Sequence, residues 1–416
     1  MKNPLRNSNN WMGDENEVLK GFSFRSGSKS INTEMVIWSD VFLYSNNQNE
    51  KVAIILMDTQ GFFENGDTTF SVNSRTFIFS AIISSVLILN LDNQLKIEQI
   101  KYLLMTTTFS KNNLEYHQTP FIKSFQNINF IMRNWSNIQQ YPWGFNSDNK
   151  YIMKSIEHIG SHSNMTHIKS SFKDINSFLL PFPGPMIRLK KSTGCWSQMD
   201  VEYKKQLKLL IEHILGPNNL IIRKINRDKI TGSGLNEKIK THFKAIKFKL
   251  FTDTFLKVYE QKLAKNYGET KLKDMLSFKN SHLTSKTSTI ELATKTDPNL
   301  VSILDKAFNK AYESFLYNQD KFNELNVIIE GGPTKHMYGE AFNVMCYNND
   351  NNELNINYTT VSSLMEHSII KDRKVVVLSM IGFYRYGKSA FMDYCLRYLY
   401  AHVSKLLKLI DNNFDH

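Results

Sequence analysis

The stretch that most constrains the fold of this chain lies at residues 374–400. A mostly β-branched and apolar run at 375–381 leads into a G-x-x-x-x-G-K-S motif at 382–389, and a helical apolar pattern follows at 391–400. A phosphate-binding loop needs this order of strand, loop and helix, because its backbone N–H groups converge at a helix N-terminus. A glycine-containing turn between a buried strand and a helix is the alternative. The strand pattern before the motif and the helical pattern after it favour the phosphate loop.

Each fixed position of the motif has a chemical role in such a loop. Gly382 and Gly387 allow the backbone to close around a phosphate chain. Lys388 is expected to contact the outer phosphates, and the hydroxyl of Ser389 is expected to bind Mg²⁺. The motif therefore predicts a nucleotide-binding protein with Mg²⁺ as its cofactor.

A second motif follows the continuous apolar run at 52–57, which is typical of a parallel strand buried on both faces. The run ends in D-x-x-G, from Asp58 to Gly61. At the carboxyl end of a central strand, Asp58 would hold the metal through water and the Gly61 N–H would sense the γ-phosphate. The motif is weak alone, and the phosphate loop strengthens it.

Strand and helix patterns alternate along the chain. Strands are predicted at 35–43, 82–91, 128–133 and 177–181, a helix around 97–104, and a hairpin at 341–347 and 354–358. The pattern predicts an α/β fold with a doubly wound, mostly parallel sheet. Two further helices, at 251–267 and 297–315, are predicted to leave the sheet and return through a linker at 329–333.

Composition limits the remaining possibilities. The 416 residues leave room for two or three domains, and the net charge of +12 suits phosphate ligands. The basic residues are scattered, so no nucleic-acid partner is expected. Three distant cysteines favour a reducing compartment, and no segment is apolar and long enough to be predicted to span a membrane. The histidines at 158, 162 and 167 lack the other ligands of a zinc site and are interpreted as surface residues.

Several stretches together resemble one family. They are GFYRYGKS at 382–389, MDYCLRYLY at 392–400, WMGD at 11–14, GFSFRSGS at 21–28, IWSDVF at 37–42, LMDTQG at 56–61, MRNW at 132–135, FLLPFPG at 178–184 and KIT at 229–231. The chain resembles the atlastin branch of the guanylate-binding-protein-like GTPases, in the dynamin superfamily. The resemblance covers most of the chain outside the two predicted helices and implies a P-loop GTPase fold.

The order of these motifs differs from the family's order, in which the phosphate loop comes first. Here it comes last, as in a circular permutation. Three explanations fit this order. The chain is a natural circular permutant, or the back of one gene copy is joined to the front of another, or the order is a gene-model error. We favour one G domain assembled in cis, in which the strand at 375–380 is predicted to lie beside the strand at 52–57, with Ser389 near Asp58. It comprises residues 1–245 (switches and guanine contacts) and 326–416 (phosphate loop), with a partial helical bundle at 246–325.

The resemblance also implies roles for individual residues. Arg385 is similar to the family's internal arginine finger and, with Lys388 and Gln60, is a candidate catalytic residue. The implied nucleotide-binding residues are Gly382, Arg385, Tyr386, Gly387, Lys388, Ser389, Ala390, Gln60, Gly61, Arg133, Asn134 and Ile187. The implied metal ligands are Ser389, Asp58 and Thr33. The implied partners are GTP and GDP, with a second copy or a related G domain.

Two positions depart from the family pattern. Asn32 stands where a threonine of the family's first switch ligates Mg²⁺, with Thr33 beside it, and Asn134 replaces the aspartate of the guanine-reading Arg-Asp pair. A neutral Asn134 is a weaker acceptor than a carboxylate, so Asn134→Asp is expected to tighten GTP binding by about 1–2 kcal/mol.

Two hypotheses of function follow, with a P-loop ATPase as a weaker third. The first is an active GTPase, and the second is a pseudo-GTPase that acts by pairing with intact relatives. No counterpart of the family's membrane anchors or complete three-helix bundle is recognised, so membrane fusion by this chain alone is not expected. A cytoplasmic location, peripheral at the endoplasmic reticulum membrane, is expected.

Overall fold

The centre of the molecule is a set of five parallel strands. Numbered in chain order, they are Lys51–Thr59 (β3), Val86–Leu91 (β4), Phe125–Met132 (β5), Phe172–Leu179 (β7) and Lys374–Gly382 (β12). β12 lies between β3 and β4 and pairs in parallel with both, and β5 and β7 continue the sheet beyond β4. Every residue of β3 after Lys51 is buried, as expected for a strand covered on both faces.

The computed structural model describes residues 11–22, 33–45, 50–59, 70–113, 123, 125–145, 149–188, 195–225, 228–249, 339–348, 353–382, 387–403 and 405–407. All of them belong to one compact unit, which takes in the chain before residue 260 and after residue 337. The helices predicted at 251–267 and 297–315, and the linker at 329–333, lie outside the described residues.

Further strands extend the sheet on the side of β3. They are Thr33–Trp38 (β1), Val41–Ser45 (β2), Ala341–Asn348 (β10), Glu353–Ile356 (β11) and Lys405–Leu407 (β13), with Gly144–Phe145 (β6) at the far edge beside β7. The order is β11-β10-β1-β3-β12-β4-β5-β7-β6, and β2 pairs with β3 and β13. A separate small ladder joins Lys224–Ile225 (β8) to Asp228–Lys229 (β9).

Helices cover the parallel strands. They are Phe70–Ile83 (α1), Ile97–Asn113 (α2), Lys150–Ile159 (α3), His162–Ser171 (α4), Val201–Leu215 (α5), Gly232–Lys249 (α6), Tyr358–Met365 (α7) and Lys388–His402 (α8). Ile54 and Leu56 of β3 share a buried cluster with α5 and α8. Because alternate side chains point to opposite faces, Ile55 and Met57 face the other side, and α1 and α6 contact β12. The α/β doubly wound class is confirmed.

Most of the predicted elements are present. The predicted neighbours β12 and β3 pair from Lys374 opposite Val52 to Met380 opposite Asp58. The helix predicted around 97–104 is α2, and the predicted hairpin is the antiparallel pair β10 and β11. The strand predicted at 177–181 begins earlier, at Phe172, and ends at Leu179.

The single strand predicted at 35–43 is wrong, because a turn divides it into β1 and β2. Ser39 and Asp40 form this turn and are buried. The Ser39 hydroxyl accepts a hydrogen bond from the backbone N–H of Glu340 (2.8 Å), and Asp40 Oδ2 accepts from Gly339 N (3.1 Å) and from the Tyr400 hydroxyl (2.6 Å). Polar partners distant in sequence thus stabilise the break.

The strand predicted at 82–91 begins too early, since α1 continues through Ile83. Ser84 ends the helix by donating its backbone N–H to the carbonyl of Ser80 (3.1 Å), and Ser85 donates its own to the carbonyl of Val377 (2.9 Å). The helix end and the strand are both buried. Periodicity does not separate a buried helix end from a buried strand, which explains the error.

The domain boundaries remain predictions. Helix α6 continues to Lys249, so the boundary expected at residue 245 falls inside a helix. The boundary at 326, and the bundle expected at 246–325 beyond Lys249, lie outside the described residues. The chain is described again from Gly339, where hydrogen bonds to Asp40 and Tyr400 fix its backbone to the sheet unit.

Candidate functional site

The two fixed glycines of the predicted phosphate loop lie where the backbone closely approaches other groups. A Cβ on Gly382, the last residue of β12, would lie 2.2 Å from the carbonyl oxygen of Asn90. Gly387 adopts a left-handed backbone (φ 69°), and a Cβ there would lie 2.8 Å from Nη1 of Arg133. Both positions therefore require glycine. The residues between them, including Arg385 and Tyr386, lie outside the described part of the chain.

Lys388 and Ser389 begin α8 and meet the end of β3. The Ser389 hydroxyl donates to Oδ2 of Asp58 (2.5 Å), and Oδ1 of Asp58 accepts from the backbone N–H of Thr59 (3.0 Å). The Thr59 hydroxyl in turn donates to the carbonyl of Met380 on β12 (2.8 Å). The expected proximity of Ser389 and Asp58 is confirmed.

Lys388 and Asp58 are both buried, with 6% and 4% of their surface exposed. Burial raises the pKa of the Asp58 carboxyl, and this effect exceeds the opposing influence of the Lys388 charge and of the Ser389 and Thr59 hydrogen bonds. A lysine is rarely this buried unless a partner compensates its charge. The arrangement concentrates positive charge at a helix N-terminus, where phosphate groups bind in many proteins.

Ser389 and Asp58 could also hold a Mg²⁺ ion. The Ser389 hydroxyl and the Asp58 carboxylate are hard oxygen ligands, the type that Mg²⁺ prefers. Thr33 begins β1, which runs antiparallel to β3 with Met35 opposite Thr59, so its backbone lies at the same edge of the sheet. Among the described residues, no group of three or more histidine, cysteine or acidic side chains forms an alternative metal site.

The residues expected to read the base follow β5. Arg133 lies against Gly387, and Asn134 adopts a left-handed backbone (φ 56°). The Asn134 Nδ2 donates to Oδ1 of Asp92 (2.8 Å), a contact that the sequence analysis did not anticipate. The only sequence signal for Asp92 was an acidic residue directly after a buried strand.

Two other predicted site residues, Ile187 and Ala390, lie against the hydrophobic core. Ile187 lies in a short 3₁₀ helix, Pro185–Arg188, and packs against the buried cluster, as does Ala390 in the first turn of α8. The structure therefore brings together Lys388, Ser389 and Asp58, and separately Gly387 and Arg133. Gln60 and Gly61 lie outside the described residues.

Helix α8 also holds the segment at 11–22, which precedes the expected first switch. Oδ1 of the buried Asp393 accepts from the backbone N–H of Phe22 (2.6 Å). Arg397 donates to the carbonyls of Met12 (2.5 Å), Glu17 (3.0 Å) and Val18 (3.1 Å). Helix α8, which begins at the end of the predicted phosphate loop, thus holds the segment that leads to the expected first switch.

Comparison with protein families gives a match to the model described as guanylate-binding protein, N-terminal domain, over residues 9–224. This range covers more than half of the chain. The chain belongs to the guanylate-binding protein family.

Within this family, the chain is similar to atlastins. It is 35% identical to Atlastin-1 of Bos taurus over 240 residues, which cover 56% of this chain and 42% of the relative. It is 34% identical to Atlastin-3 of Homo sapiens over 241 residues (56% and 44%) and 33% identical to Atlastin-2 of Xenopus laevis over 247 residues (57% and 42%). The chain thus matches less than half the length of these relatives. Among the described residues of this chain, no helix is long and apolar enough to span a bilayer.

The buried Asp393 gives a testable pH dependence. Burial raises its pKa well above the ordinary 3.8. The Phe22 hydrogen bond and Arg397 lower the pKa, and the nearby Asp58 carboxylate raises it. A raised folded-state pKa means that the folded protein binds the proton more tightly. The resulting stability is present below about pH 4 and is lost as pH rises through the folded-state pKa.

We therefore expect Asp393→Asn to reduce this loss, because the amide keeps an acceptor for Phe22 N–H and does not ionise. Urea unfolding of the nucleotide-free protein from pH 4 to pH 8 measures the effect. Asp174→Asn, at an exposed carboxylate, is the matched control. Parallel stability profiles for Asp393→Asn and the parent would contradict the expectation.

Proposed function

We propose that this chain is a P-loop GTPase that binds GTP with Mg²⁺ and hydrolyses the γ-phosphate. The strongest support is the contact between Ser389 and Asp58, which lie 331 positions apart in sequence. This contact places a lysine, a hydroxyl and a carboxylate where β12 and β3 end. The family assignment supports guanine nucleotides as the substrate class.

The described residues have complementary tasks in this reaction, an in-line attack of water on the γ-phosphate. The Lys388 ammonium stabilises negative charge on the outer phosphates, and Asp58 orients the Ser389 hydroxyl through their hydrogen bond. Ser389 and Asp58, with Thr33, would hold Mg²⁺. The ion, when bound, neutralises charge on the β- and γ-phosphates.

Further assignments rest on the family resemblance. Arg385 neutralises charge that develops on the transferring phosphoryl group, and Gln60 positions the attacking water. Gly61 senses the γ-phosphate, whereas Arg133, Asn134 and Ile187 surround the base. The protein pairs with a second copy or a related G domain, and it acts in the cytoplasm at the surface of the endoplasmic reticulum.

A pseudo-GTPase that acts as an interaction partner of intact atlastin-like proteins is the second candidate. The asparagines at positions 32 and 134 favour it, because each replaces a residue that the family uses for metal or base. The buried pair of Lys388 and Asp58 favours the GTPase, since a binding surface alone does not require it.

Purified full-length protein, incubated with labelled GTP or ATP and with Mg²⁺ or EDTA, tests these functions. The proposal expects binding and single-turnover hydrolysis of GTP, with hydrolysis lost in EDTA. GTP binding without turnover would favour the pseudo-GTPase, and a preference for ATP would favour an ATPase. A protein that binds neither nucleotide would overturn the proposal.

We also propose that the two sequence segments form one G domain in cis. The pairing of β12 between β3 and β4, from distant parts of the chain, supports this arrangement. The family match ends at residue 224, before the motif at 382–389, and a permuted order is consistent with this range. Sequencing the transcript across the codon for Gly331 tests it against a gene-model error, because a true permutant has one continuous message there.

A further inference from the structure

Asp92 and Asn134 form a pair at the carboxyl edge of the sheet. β4 and β5 end side by side, with Leu91 opposite Met132, so the turns that follow them are adjacent. The Asn134 Nδ2 lies 2.8 Å from Oδ1 of Asp92. A carboxylate oxygen accepts from an amide N–H₂, so the Asn134 nitrogen faces Asp92 and its Oδ1 points elsewhere.

Contacts on both sides fix the position of this pair. The backbone N–H of Arg133 donates to the carbonyl of Leu91 (3.1 Å), and that of Trp135 donates to the carbonyl of Leu180 (3.0 Å). The Tyr151 hydroxyl reaches the carbonyl of Asn93 (3.4 Å), beside Asp92. The pair is thus held by the ends of three parallel strands.

The pair is close to the predicted phosphate loop, and each member has an acceptor atom that takes no hydrogen bond from the described residues. Arg133, which precedes Asn134, lies against Gly387. Asp92 and Asn134 are half-buried, so a ligand can reach them. Within the described part of the chain, the contact between them is the only side-chain hydrogen bond of either residue. Asp92 Oδ2 and Asn134 Oδ1 therefore remain available as acceptors.

We infer that Asp92 supplies the carboxylate that reads guanine and that Asn134 positions it. The inference rests on the proposed GTPase function. Guanine presents two adjacent donors, N1–H and an exocyclic amine, which a carboxylate accepts through charge-assisted bonds. Adenine presents an unprotonated N1 at the corresponding place, which a carboxylate repels. Asp92 thus provides the negative charge that the family's aspartate would provide at position 134, where this chain has a neutral asparagine.

This assignment reverses the expectation for Asn134→Asp. The new carboxylate would lie against Asp92, and two carboxylates in contact do not both ionise without a large cost. Asn134→Asp therefore weakens GTP binding, although it recreates the aspartate of the family motif. If residue 134 read the base itself, the same substitution would tighten binding.

Isothermal titration of GTP, XTP and ATP into the full chain with Mg²⁺ tests the assignment. Asp92→Asn is expected to weaken GTP binding roughly 10- to 100-fold, the loss expected for hydrogen bonds to a charged acceptor. It is also expected to tighten XTP binding, because xanthine carries a carbonyl in place of the amine and an asparagine can donate to it. The control Asp174→Asn neutralises an exposed carboxylate near the amino end of β7 and should change neither affinity.

The outcomes separate the assignment from the proposed function. A parent that binds none of the three nucleotides overturns both. A parent that binds GTP, together with an Asp92→Asn variant of unchanged GTP and XTP affinity, overturns the assignment alone. If Asp92→Asn does not fold, as judged by thermal unfolding, Asn134→Asp decides, since weaker GTP binding supports the assignment and tighter binding overturns it.

Discussion

Replacing Arg385 with alanine is expected to lower the single-turnover rate of GTP hydrolysis by about 10³- to 10⁵-fold, the range found for arginine fingers. The affinity for GTP should change little. In the proposed reaction, the guanidinium would act on charge that grows in the transition state, whereas Lys388 would bind phosphates that are already present in the ground state. Rapid-quench measurement with enzyme in excess over labelled GTP gives the rate, and titration gives the affinity.

Arg373→Ala is the matched control, because Arg373 lies at the opposite end of β12 and donates to the carbonyl of Ile369 (2.7 Å). Its hydrolysis rate should equal that of the parent. An Arg385→Ala variant that hydrolyses GTP as fast as the parent would exclude the catalytic role. A parent that binds GTP without turnover would instead support the pseudo-GTPase.

Replacing Lys388 with methionine is expected to weaken GTP binding roughly 30-fold or more, as when one partner of a buried charge pair is removed. Methionine keeps the length of the side chain and avoids a cavity. Since the Lys388 charge lowers the pKa of Asp58, its loss leaves burial less opposed and raises that pKa further. The effect of Lys388→Met should appear in the affinity for GTP, because Lys388 is proposed to contact phosphates that are already present in the ground state. Arg385→Ala should instead change the rate of hydrolysis.

Lys374→Met is the control for this substitution. Lys374 begins β12, the strand that leads into the motif at 382–389, and its ammonium donates to the carbonyl of Lys229 (3.3 Å) at the other end of that strand. Equal GTP affinity in Lys388→Met and Lys374→Met would show that Lys388 does not contact the nucleotide.

Local sequence patterns predicted the central strands and the phosphate loop. The run at 52–57 is apolar throughout, and the run at 375–381 has Ser379 as its one polar residue. Such runs indicate strands that are buried on both faces. Fixed spacing placed Gly382, Gly387 and Lys388 in one loop, because the loop is continuous in sequence. Asp58 was recognised because its motif also lies within four residues.

Local patterns do not predict contacts between distant segments, and the contact of Ser389 with Asp58 was expected only because the chain resembles a known family. The turn at Ser39 and Asp40 is stabilised by Gly339, Glu340 and Tyr400, which no local pattern connects to it. The pairing of Asp92 with Asn134 likewise depends on the alignment of β4 with β5. Such pairs are determined by tertiary packing, and a single sequence carries no periodic signal for them.

The central position of β12 has a consequence for synthesis on the ribosome. β3 and β4 are made early, but the strand that separates them begins only at Lys374. At about 5–20 residues per second, translation of residues 92–373 takes on the order of 15 to 60 s. For that time, the backbone groups of β3 and β4 that β12 will pair have no partner in the sheet.

Unpaired edges of apolar strands are templates for aggregation. A nascent chain of this protein therefore exposes two such edges until the strand that fills the gap emerges. A chain arrested before Lys374 lacks both the middle of the sheet and the residues Lys388 and Ser389. The central sheet and the proposed nucleotide site are therefore both completed late in synthesis, once β12 and α8 have been made.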